Sequence, residues 1–105
     1  MELAFQTQAL RDICEDAERA SLEFGPEVAT ALRHRLADLR AAVSLSDVIV
    51  GHPQMDGEHV SVEIGKSHRL DLAANHVRNP LTPDGDLDWR RVSRLRVLEL
   101  RRRAD

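Results

Sequence analysis

The chain has 105 residues, 42% of them hydrophobic and 31% charged, with a formal net charge of −3. Those values predict one globular domain over residues 1–105 with a modest core, and they exclude both a disordered chain and a uniformly basic nucleic-acid binder. No apolar run approaches the ~20 residues of a membrane span, and the opening MELAFQT lacks the pattern of a signal peptide.

The opening ELAFQT alternates, with Leu3 and Phe5 on one side, and predicts a short strand. From Gln8 the period changes. Leu10, Ile13, Cys14, Ala17 and Ser21 form one stripe of an amphipathic helix. Gly25-Pro26-Glu27 then closes that helix and opens the next, with glycine at the stop and proline in the first turn. Val28, Leu32, Leu36, Leu39 and Val43 carry a second stripe to about Ala42, so residues 8–42 predict a helical hairpin.

Residues 44–57 hold Pro53, Gly51 and Gly57 with little periodicity, and predict a loop with one short turn near Leu45–Val48. Strand alternation returns in HVSVEI (59–64). It resumes after the turn Gly65-Lys66-Ser67 in HRLDLAANH (68–76), and again from Val92 to about Leu100. The order is β-α-α-β-β-β, an α+β fold in which a helix hairpin covers one face of an antiparallel sheet of four strands. The other face would carry Ser61, Glu63, Arg69 and Asp71 and stay open to solvent. An exposed apolar surface is expected at Leu45, Val48, Ile49 and Val50.

Charge is unevenly shared. Residues 1–60 hold five arginines against eleven carboxylates, whereas 61–105 hold ten Lys/Arg against seven. The second half therefore carries a local basic signature, strongest in RLRVLELRRR. Arginine suits phosphate because its planar fork donates two parallel hydrogen bonds and stays charged. The competing reading is a solvated strand edge whose charges prevent edge-to-edge pairing. The five histidines show no metal-ligand spacing, so no metal or other cofactor is expected. Cys14 lies on a helix stripe and reads as a small buried hydrophobe in a reducing, cytoplasmic protein. Tyrosine is absent, which removes the phenolic acid/base and the commonest base-stacking ring.

Taken in order, LRDICEDAERA (10–20), LRHRLADLRAA (32–42), ANH (74–76) and DWRRVSRLRVL (88–98) resemble the HigB/RelE-type toxins of bacterial type II toxin–antitoxin systems, in the plasmid-maintenance killer-protein branch. The resemblance runs from Leu3 to Leu100. It implies a cytoplasmic, metal-independent endoribonuclease, an mRNA interferase that cuts mRNA on the ribosome and inhibits translation. A cognate antitoxin, of helix-turn-helix type, would silence it in a hetero-oligomer. By the same resemblance Arg69 matches the family's strand arginine, with His68 in the aromatic position before it. Both are candidate catalytic residues, with Lys66, Arg94, Arg96, Arg101 and Arg103 as RNA contacts.

The chain departs from the family pattern twice. A turn that is basic in the family is here Gln54-Met55-Asp56-Gly57-Glu58, and the terminal Asp-Tyr-His is replaced by Arg102, Arg103 and Ala104. His59, His68 or His76 would then have to act as the acid/base. The departures also raise two alternatives: a toxin-fold module with little catalysis that partners an antitoxin and co-represses its operon, or a gyrase-directed ParE-like relative.

Overall fold

The computed structural model describes residues 1–48 and 51–103. It is an α+β protein with three helices and one five-stranded mixed sheet. The strands are β1 (Glu2–Phe5), β2 (Gln54–Asp56), β3 (His59–Ile64), β4 (His68–Ala74) and β5 (Arg94–Arg102), in the spatial order β1-β5-β4-β3-β2. The chain starts at one edge, crosses under the sheet through its helices to the far edge, and returns by hairpins until β5 lies beside β1. That route makes β1 and β5 parallel, while every other pair is antiparallel.

The strand count and the all-antiparallel expectation are corrected here. The fifth strand is β2, inside the stretch expected to be loop. It pairs with β3 through a two-residue turn whose first member, Gly57, has φ 61°. Glycine takes that left-handed conformation without the Cβ penalty, so the pairing is set by the turn and not by apolar alternation.

The first helical stretch is also two helices, α1 (Gln8–Glu15) and α2 (Ala17–Phe24), followed by α3 (Pro26–Ala41). Asp16 interrupts them in extended conformation, φ −120° and ψ 102°, and its carboxylate accepts from the backbone N–H of Glu18 and of Arg19. A short acidic side chain competes for helix donors in this way, ending one helix while capping the next. Asp16→Ala should therefore lower stability by about 1 kcal/mol, read as a fall in the midpoint of urea unfolding.

The core lies between α3 and the sheet. Leu32, Leu36 and Leu39 meet Val60, Val62, Ile64, Leu70, Leu72, Leu95 and Val97, all essentially inaccessible to solvent. Val43 falls beyond the end of α3 and is 80% exposed, so the second stripe stops at Leu39. The single turn at Leu45–Asp47 is as expected, but Leu45 and Val48 are 2% and 7% exposed and belong to the core. They do not form the apolar surface assigned to them, and Ile49 and Val50 of that assignment lie outside the described residues. Cys14 is half-buried among these helices, and burial pushes its thiol up to about 11, which makes it a poor nucleophile. Among the described residues, no helix is long and apolar enough to cross a membrane.

Candidate functional site

The arginines of β5 share a face only because of a register slip. Early in the strand, Leu95 and Val97 point to the core while Arg94 and Arg96 point outward. Opposite them, Leu72 pairs with Val97 but Asp71 pairs with Glu99, which leaves Leu98 as the extra residue of a β-bulge. The bulge reverses the alternation. Beyond it the odd positions Glu99, Arg101 and Arg103 join Arg94 and Arg96 on the outer face. Four of the arginines expected to contact RNA are thus collected on one surface.

Carboxylates answer most of these charges. Arg101 Nε lies 2.7 Å from Asp71 Oδ2, Arg94 Nε 3.3 Å from Glu2 Oε2, and Arg103 Nη1 3.5 Å from Glu63 Oε1. Arg96 is exposed and has no ion-pair partner among the described residues.

Arg69 occupies the outer face but is only 6% exposed. Its Nε donates to Ser61 Oγ at 2.9 Å, and its Nη2 donates to the carbonyls of Ser61 at 2.9 Å and His52 at 3.1 Å. Nη1 faces Glu63 Oε1 at 3.8 Å. Burial pulls the guanidinium below its usual value, against the pull of Glu63. The fork is spent on its own chain.

Glu63 is the centre of this network. Its Oε2 lies 3.0 Å from His52 Nδ1, its backbone N–H donates to Gly51, and its carbonyl accepts from Arg35 Nε of α3 at 2.9 Å. The segment 51–52 is therefore clamped from both sides of the sheet. Gly51, at φ 95°, packs so closely on Arg35 that an added Cβ would lie 2.6 Å from its Nε. His52 itself holds φ 45°.

The hydrogen bond from His52, then the charges of His52, Arg103 and Arg69, hold the Glu63 carboxyl below its ordinary value. A lowered folded pKa means stability that is present above the unfolded pKa near 4.3 and is lost as pH falls through the folded value. Glu63→Gln should therefore flatten the loss of stability in that acid window, measured by thermal melting from pH 6 downward.

Beside this network a groove of about 480 Å3 opens on the same face. Gln54, Met55 and Asp56 of β2 form one wall, and Leu98, Glu99 and Arg101 of β5 form the other. His59, Ser61 and Asp71 lie between them. His59 is exposed, and its side chain makes no hydrogen bond among the described residues.

The remaining histidines lie elsewhere. His68 is turned to the helical side, where its ring meets Phe24 edge-on at 5.6 Å and its Nδ1 lies 2.8 Å from Ser67 Oγ. It and Arg69 are neighbours in sequence on opposite faces of the sheet. His76 Nε2 accepts the backbone N–H of Ser93 at 3.0 Å. Lys66 is exposed in the β3–β4 turn, one end of the sheet away from the groove. Among the described residues no three His, Cys, Asp or Glu side chains gather closely enough to hold a metal ion.

The groove residues His59, Gln54 and Leu98, and the clamp residues His52 and Arg35, carry no motif. One signal for Leu98 was present: the apolar doublet Val97-Leu98 breaks the alternation of RLRVLELRR at the bulge. No protein-family model matches the chain, and neither the curated proteins nor the solved structures give a significant match.

Proposed function

We propose that the chain is the toxin of a type II toxin–antitoxin pair and that its outer sheet face receives single-stranded RNA on the ribosome. The observation that carries this reading is the bulge at Leu98, which sets Arg94, Arg96, Arg101 and Arg103 on one face beside a groove holding His59. In the proposed reaction the ribose 2′-hydroxyl attacks the adjacent phosphorus and loses its proton. The bond from phosphorus to O5′ breaks, and O5′ gains a proton. The products are a 2′,3′-cyclic phosphate and a free 5′-hydroxyl. The substrate supplies the nucleophile, so the protein need provide only charge and proton transfer. Arg96, which has no ion-pair partner among the described residues, offers the charge. His59 is the imidazole in the groove free to move a proton, since His68 faces the helices and His76 is bonded to Ser93.

A second reading is favoured by a different observation. Arg69 has its donors engaged by Ser61, His52 and Glu63, and carboxylates face Arg94, Arg101 and Arg103. A face balanced in this way suits a module that binds an antitoxin and cuts RNA slowly or not at all. Induced expression without a partner, followed by mapping of mRNA 5′ ends, separates the two. Growth arrest with new cleavage sites supports the nuclease. Normal growth and intact mRNA, with the neighbouring gene product co-purifying, support the partner module and reject the nuclease.

A further inference from the structure

The groove beside Arg69 has more chemistry than phosphate binding needs. Its volume of about 480 Å3 lies within the ~300–1,000 Å3 typical of small-ligand sites. Leu98 supplies an apolar wall on the β5 side. Beside it stands a directional row of polar groups. The Arg101–Asp71 bond at 2.7 Å uses Arg101 Nε and one carboxylate oxygen, leaving the terminal amino groups of Arg101 as donors and Asp71 Oδ1 as an acceptor. Glu99 stands directly opposite Asp71 across the β4–β5 pair and adds a second acceptor.

Like charges directly opposite in a sheet are destabilising, and the one arginine engages only Asp71. A ligand offering one acceptor followed by two donors would satisfy the whole row.

We infer that this groove is a base-selective pocket for guanine in single-stranded RNA, with Arg101 donating to O6 while Asp71 and Glu99 accept from N1–H and the exocyclic amino group. The inference rests on the RNA reading given above and adds the identity of the base. Arginine reads guanine O6, and carboxylates read amino groups on base edges. The same row rejects the other bases. Cytosine and uracil would each turn at least one acceptor toward a carboxylate, and adenine would place its unprotonated N1 there. Such mismatches leave polar groups unpaired in the contact, which is where discrimination arises.

The test is binding of fluorescent RNA heptamers that differ at one central position: guanine, inosine, adenine, cytosine or uracil in a constant uracil background. The guanine heptamer should bind at least about tenfold more tightly than the uracil one. Inosine, which lacks the exocyclic amino group, should fall between them. Glu99→Gln should lower the guanine preference toward that for inosine, without lowering the melting temperature. Measurable but equal affinities for all five would overturn the base pocket and leave the RNA reading standing. A guanine preference unchanged in Glu99→Gln would overturn the assignment to this groove. Absence of binding to every heptamer would overturn both the pocket and the RNA reading.

Discussion

Arg69→Ala should cost the fold about 3–5 kcal/mol, the range for removing one partner of a buried charged network. The guanidinium is 6% exposed and ties β4 to Ser61 and Glu63 of β3 and to the His52 carbonyl before β2. Alanine would leave two carbonyls, a hydroxyl and a carboxylate short of partners in a place that water reaches poorly. At about 4–8 °C per kcal/mol for a domain of this size, the melting temperature should fall by roughly 12 °C or more. Arg69→Lys should recover only part of that loss, because an ammonium on a flexible stem cannot reproduce the fork. An unchanged melting temperature in Arg69→Ala would show that the network is dispensable. If induced expression arrests growth, relief by Arg69→Ala is expected from unfolding alone, so it is evidence for a phosphate contact only if the variant stays folded.

The sequence made the periodic parts of this fold plain and the non-local parts invisible. Strands β3 and β4 follow from the alternation of Val60, Val62, Ile64, Leu70 and Leu72, and all five side chains are in the core. The two-helix reading of residues 8–42 missed Asp16 because the apolar stripe runs past it undisturbed. What breaks the helix is a carboxylate competing for two backbone donors, and that leaves no mark in the hydrophobic period. Strand β2 was missed for the converse reason. Gln54, Met55 and Asp56 are all exposed, and their pairing comes from Gly57 and from a neighbour already in place. The parallel β1–β5 contact has no local signature at all, being a consequence of the route by which the chain returns.

The site shows the same division. Which residues bear charge was readable; which of them share a face was not. Strict alternation would have separated Arg94 and Arg96 from Arg101 and Arg103, and Leu98 is what unites them. The adjacency of His68 and Arg69 suggested one catalytic pair, yet neighbouring residues in a strand point to opposite faces. Here that rule puts one ring against Phe24 and the other side chain against Ser61.

His59 carries the largest effect expected on chemistry. If the chain cuts RNA, His59→Ala should lower the single-turnover rate by about 10²–10⁴-fold, the usual contribution of a positioned acid or base. The side chain is exposed and forms no hydrogen bond among the described residues, so the melting temperature should hardly move. His68→Ala makes the opposite demand. It removes the edge-on contact with Phe24 and the link to Ser67, so stability should fall while the rate measured on folded protein persists. The two variants separate a group that moves protons from a group that holds a helix to the sheet. His59→Ala cutting at the wild-type rate, with His68→Ala folded but inactive, would move the acid/base to the helical side. In that event the proposed role of the groove in catalysis falls, because His59 is the imidazole among its lining residues.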